Sequence, residues 1–155
     1  MVLEQQPTYE VGAKKWLITI TVITCAIMEL IDTSIVNVAT RQIAGNLGAT
    51  IEETAWVITA YAISNIIIIP LTGFLSNIFG RKVYFTASVI LFTVASFLCG
   101  FSGSIYMLIF WRFVQGIGGG ALLATAQTIL VETFPPDEID KANGIFGAGI
   151  VMGPT

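Results

Sequence analysis

From Thr54 to Gly80 the chain runs without a single charged residue. A helix needs roughly 20 apolar residues to cross a hydrocarbon core of about 30 Å, so this segment alone is long enough to span a bilayer. Only 11% of the 155 residues are charged and 55% are hydrophobic. Soluble domains carry about 25% charged residues, so this chain cannot cover a water-facing surface and belongs in a membrane.

The remaining apolar stretches extend that reading to an all-α membrane protein of about five transmembrane helices. Residues 1–15 are polar and read as a cytosolic tail, because the apolar run behind them is far longer than the core of a signal peptide. Spans follow at 16–40, 54–80, 83–101 and 105–131, with a fifth begun at 142–155. At about 1.5 Å per residue that last stretch is too short to cross, so the chain is expected to stop inside a helix. Arg81-Lys82, Gly100 to Gly103, and Phe134-Pro135-Pro136 punctuate the spans, and 41–53 reads as a longer polar loop with Gly45 and Gly48. Lys14, Lys15, Arg81, Lys82 and Lys141 then share one side and Arg41 alone takes the other, which sets the N-terminus in the cytosol.

Composition also removes function classes. The net charge is -3 with no basic block, which argues against nucleic acid as a partner. Histidine is absent, so the usual base near neutral pH and the commonest metal ligand are missing. No nucleophile with a base and no metal-ligand spacing is present, so an enzyme and a metal site are not expected. Cys25 and Cys99 lie within apolar stretches and read as small buried hydrophobes rather than a disulfide.

Three ionisable residues fall inside the spans: Glu29, Asp32 and Arg112. A charge in hydrocarbon costs roughly 2.5 to 3.5 kcal/mol or more, so such groups face a cavity or a partner. Glu29 and Asp32 are spaced i, i+3 and share a helix face. Two carboxylates that close do not both ionise readily in low dielectric, which is the behaviour a proton carrier needs. The alternative is that one acid sits near an aqueous end, or pairs permanently with a cation as a strut. Thr33, Ser34 and Asn37 on the same helix read as interhelical hydrogen-bonding groups. Gln115 and Gly116 beyond Arg112 suggest an interior polar face, which makes Arg112 the candidate counter-charge for Asp32 or Glu29. Gly116 and Gly120 form a small-xxx-small pair within Gly116 to Gly120, the pattern of close helix packing. A phosphate loop is excluded because no strand precedes it.

Leu30-Ile-Asp32-Thr-Ser-Ile-Val-Asn37-Val-Ala39, Gly73-Phe-Leu-Ser-Asn77-Ile-Phe-Gly80-Arg81-Lys82, Arg112-Phe-Val-Gln115-Gly116-Ile-Gly118-Gly119 and Gly149-Ile-Val-Met-Gly153-Pro154 occur in that order on successive spans. Together they resemble the signatures of the major facilitator superfamily, in its 14-helix drug:proton antiporter branch of the EmrB/QacA type. The resemblance covers Trp16 to Thr155 and implies five helices of an N-terminal six-helix bundle. It implies proton-coupled efflux of hydrophobic or amphipathic drugs by alternating access across the inner membrane. No cofactor is expected beyond a proton gradient. The partners implied are the lipid bilayer, protons, small substrates, and a periplasmic adaptor with an outer-membrane channel.

Residue by residue, the resemblance places Asp32 in the coupling and substrate region and gives Arg112 a part in proton transfer. Gly80, Arg81 and Lys82, with Gly73 and Asn77 of the same motif, form a cytosolic latch. Gly149, Gly153 and Pro154 shape a bend in helix five. Departures are specific: Asn77 stands where the latch has an acid, Ile78 where it often has a base, and Arg41 where a proline is common. An uncharged Asn77 shifts the latch onto Arg81 with Glu132. Glu29 replaces a residue that is commonly neutral. The competing readings are a facilitator carrier for another small substrate, such as a sugar or metabolite, and a non-transporting membrane assembly subunit.

Overall fold

The structure is a computed structural model and describes residues 12–152, with side chains through 148. The elements are α1 (Ala13–Leu47), α2 (Ile51–Phe79), α3 (Arg81–Gly100), α4 (Ile105–Thr133) and α5 (Ile139–Met152), with no strand among the described residues. The first four are long and apolar enough to cross a membrane.

α4 is the central helix, packed mainly on α2 and α3 and also on α1 and α5. Half of its most apolar window is buried, against a third or less for the other three spans. Its glycines cause this. A Cβ at Gly116 would sit 1.9 Å from Ser64 Oγ and 2.6 Å from the Tyr61 carbonyl oxygen, and one at Gly120 2.6 Å from Ile68 Cγ2, so α2 lies directly on the α4 backbone. Gly118 does the same for α3, where a Cβ would meet the Phe92 backbone nitrogen at 2.8 Å. In a bilayer, where lipid tails compete equally for apolar side chains, this close approach is what holds helices together.

The outer surface is apolar. Ile20, Ile35, Val38, Ile66, Phe74, Ile90 and Phe97 all face outward. Hydroxyls that share this surface cannot rely on water, and they bond within their own helix: Thr21, Thr24, Thr93 and Thr128 each donate to the carbonyl four residues back.

The expected loop at 41–53 is corrected by the structure. α1 continues to Leu47 because Ile43 and Leu47 keep the helical spacing and pack with Val36 against Val57, Ile105 and Leu108. The stop is Gly48, at φ 60°, whose N–H bonds the Ala44 carbonyl in a left-handed cap. α2 begins immediately after, earlier than Thr54. Thr50 caps it: its hydroxyl accepts from Glu53 N–H at 3.1 Å, and the Glu53 carboxylate accepts from Thr50 N–H at 2.8 Å. α1 is therefore 35 residues long, about 52 Å at 1.5 Å per residue, and projects beyond the hydrocarbon core. At the other end Lys14 and Lys15, assigned to the tail, already lie in the first turn of α1. Residues 1–11 of that tail lie outside the described residues. α5 starts at Ile139 rather than Ala142, since Ile139 itself packs on the core with Ala142 and Phe146.

Candidate functional site

α1, α2 and α4 bring one polar cluster together inside the bundle. Arg112 on α4 donates through Nη1 to Asp32 Oδ2 at 2.6 Å and to Gln115 Oε1 at 2.7 Å. Gln115 Nε2 in turn donates to Asp32 Oδ1 at 2.9 Å. The guanidinium side chain is 3% exposed and the Asp32 carboxylate 18%. Both Asp32 oxygens thus accept charge-assisted or amide hydrogen bonds, the arrangement that suits an ionised carboxylate. The buried cation of α4 meets the acid from α1, and Gln115 fixes both partners.

Glu29 takes a different partner. It is 3% exposed, and its Oε1 accepts from the Tyr61 hydroxyl on α2 at 2.7 Å. The Tyr61 ring lies under the Arg112 guanidinium, 4.6 Å from carbon to centroid, a cation–π contact. Gly119 leaves room for this hydroxyl: a Cβ there would stand 2.4 Å from it. Two buried polar atoms of the cluster, Glu29 Oε2 and Arg112 Nε, have no hydrogen-bond partner among the described residues. Tyr61 is the functional candidate that inspection of charges alone passes over. Its signal was a phenol within an apolar span, since a buried tyrosine hydroxyl seeks a partner.

Not every candidate converges here. Asn37 is exposed, and its side chain joins neither Asp32 nor Arg112. Thr33, expected to bond across helices, donates to the Glu29 carbonyl at 3.1 Å within α1 and also meets the Tyr61 hydroxyl of α2. Cys99 on α3 touches the cluster's edge, its thiol 3.6 Å from Gln115 Oε1. Cys25 and Cys99 are both free thiols.

A second group of candidates gathers at one end of the bundle. Gly80, at φ 82°, separates α2 from α3 in a conformation that favours glycine and turns Arg81 toward α4. There Arg81 pairs with Glu132, both about half exposed. Thr72, Gly73, Ser76, Asn77, Arg81 and Thr125 line a cavity of about 230 Å³ between α2 and α4. Lys82 lies on the other side of Arg81, where it lines a groove with Lys14 and Glu132. At the same end Lys15 pairs with Glu138 and stacks over Phe134, tying the start of α1 to the loop after α4. The Lys15 hydrogen bond holds the Glu138 carboxyl below its ordinary range. Gly149 lies in α5; Gly153 and Pro154 fall outside the described residues.

Comparison with known proteins gives one consistent answer. The Major Facilitator Superfamily profile matches residues 22–155. The chain is 38% identical over 152 residues to the Multidrug export protein EmrB of Escherichia coli (strain K12), covering 98% of this chain and 30% of that protein. It is 36% identical over 148 residues to the Fatty acid resistance protein FarB of Neisseria gonorrhoeae, covering 96% of this chain and 29% of that one. It is 39% identical over 132 residues to Multidrug resistance protein 3 of Bacillus subtilis (strain 168), covering 83% of this chain and 26% of the relative. The chain therefore spans under a third of the length of the curated relatives it matches.

Proposed function

Because the chain belongs to the Major Facilitator Superfamily, we propose that it carries the proton-coupling site of an exporter of hydrophobic or amphipathic compounds. It is a multi-pass membrane protein by its apolar helices and its family. The observation that carries the proposal is the buried Arg112–Asp32 pair with Gln115 bonded to both.

A buried pair of this kind has two stable arrangements and a single proton separates them. With Asp32 ionised, Arg112 is neutralised and α1 is locked to α4. A proton on Asp32 removes the counter-charge, and the guanidinium then leaves for another partner or for water. Breaking that lock biases how this bundle rocks against the second one, the motion that alternating access uses. Each proton that enters contributes about 1.4 kcal/mol per pH unit, and about 2.3 kcal/mol per 100 mV of potential. The same proposal takes Arg81–Glu132 as the latch at the cytosolic end, with Gly73 and Asn77 lining the cavity beside it and Gly80 turning the chain into α3.

The inner-membrane location with a cytosolic N-terminus is proposed from the clustering of Lys14, Lys15, Arg81 and Lys82 at one end of the bundle. A periplasmic adaptor and an outer-membrane channel are proposed as partners on the resemblance alone. The test is efflux of a fluorescent lipophilic dye from vesicles containing the full chain, driven by an imposed pH gradient. Asp32→Asn is expected to abolish gradient-driven efflux while retaining dye binding; undiminished efflux would overturn the proposal.

A further inference from the structure

The buried cluster holds two carboxylates and one guanidinium, and this count has a consequence. With every group ionised it would carry an uncompensated negative charge inside the bundle, which low dielectric penalises heavily. One proton makes it neutral. Its place follows from the hydrogen bonds. Asp32 uses both oxygens as acceptors, one from Arg112 and one from Gln115, so a proton there would displace a donor. Glu29 accepts one bond, from Tyr61, and its Oε2 is buried without a partner. That oxygen has the vacant position a proton needs.

We propose that Glu29 is a second proton-binding carboxylate, positioned by the Tyr61 hydroxyl, and that it holds a resident proton on Oε2 whenever Arg112 is committed to Asp32. The inference deepens the proposed function and rests on it for its role in transport, although the resident proton itself does not depend on transport. At 3% exposure Glu29 admits a proton but not a drug-sized substrate. The ionisable groups that face it are Tyr61 from α2, Arg112 from α4 and Asp32 one turn along α1.

The exchange this allows is balanced in charge. A proton arriving at an Asp32 oxygen frees Arg112, and the Glu29 proton leaves to water as the guanidinium turns its unpartnered Nε toward the new carboxylate. The O–H bond lost at Glu29 matches the one gained at Asp32, and the cluster is neutral before and after the exchange. Tyr61 is the positioning residue: its hydroxyl holds Glu29 and its ring holds Arg112.

Infrared spectroscopy tests this, since a protonated carboxyl and a carboxylate absorb at separate frequencies. In the full chain reconstituted in lipid at neutral pH, a buried protonated-carboxyl band is expected. The band should be lost in Glu29→Gln, and lost as well in Asp32→Asn, where the freed Arg112 takes Glu29 as its counter-ion. Tyr61→Phe keeps the ring on Arg112 and removes the hydroxyl, so the band should persist and shift. Absence of the band in the parent protein, its persistence in Glu29→Gln or in Asp32→Asn, or no shift in Tyr61→Phe would overturn the assignment. Failure of proton-driven efflux with the band intact would instead count against the transport proposal alone.

Discussion

Gly116→Ala adds one methyl group to the contact that seats α2 on α4, and the structure sets its cost. The new Cβ would stand 1.9 Å from Ser64 Oγ and 2.6 Å from the Tyr61 carbonyl oxygen. The hydroxyl can rotate away, although it then loses its 2.8 Å bond to that same carbonyl. The carbonyl is backbone, and relief requires α2 itself to retreat. Overpacking of this kind costs roughly 1 to 3 kcal/mol, and a backbone obstacle sets the upper end. Alanine returns about 0.8 to 1 kcal/mol of helix propensity, leaving a net loss of about 2 kcal/mol. Gly73→Ala is the internal control. Nothing lies within 4 Å of its Cβ position, so the propensity gain stands alone and the variant should be as stable as the parent or slightly more so. Unfolding of the full chain in mixed micelles by sodium dodecyl sulfate reads both. Adding Ser64→Ala to Gly116→Ala should recover less than half of the loss, because the carbonyl contact remains. Equal stability of Gly116→Ala and Gly73→Ala, or complete rescue by Ser64→Ala, would refute the close-packing argument.

Arg112→Ala strands Asp32 beside a buried void and should destabilise by about 3 kcal/mol, the low end for a broken buried pair because Asp32 is 18% exposed; Arg112→Ala with Asp32→Asn should be more stable than Arg112→Ala alone in the same micelle assay. Arg81 and Glu132 are each about half exposed, so Arg81→Glu should cost at most about 1 kcal/mol of stability yet abolish efflux, and adding Glu132→Arg should restore part of it. Glu138 titrates below its ordinary range because Lys15 donates to it. Its contribution is therefore full above the ordinary carboxylate pKa and lost as pH falls through the lower folded value; the difference in midpoint between parent and Glu138→Gln should vanish at acid pH.

Much of this was legible in the residues. The spans declared themselves through length without charge, and α4 ends at Thr133, ahead of Pro135-Pro136, because proline cannot continue a helix. That Arg112 meets a carboxylate of α1 was legible, because a cation within an apolar span must meet an anion, but the residues left Asp32 and Glu29 both open as its partner. What happens at Glu29 was not. An i, i+3 spacing places two side chains about 60° apart around a helix, close enough to read as one face, yet wide enough for one to meet α4 and the other α2. Tyr61 was hidden for the same reason, since its role depends on which helix lies across from it. The end of α1 was missed where polar residues outweighed a helical pattern: Arg41, Gln42 and Asn46 suggested a loop, while Ile43 and Leu47 had partners to pack against. Thr50 and Glu53 formed a capping box that sequence spacing alone would have revealed.

The proposed proton-sensitive lock joins Asp32 of α1 to Arg112 of α4. Proton release on substrate binding to the purified full chain, in weakly buffered solution, tests it most directly. Release is expected on adding a lipophilic dye to the parent protein and should be lost in Arg112→Ala. Unchanged release in Arg112→Ala would contradict it.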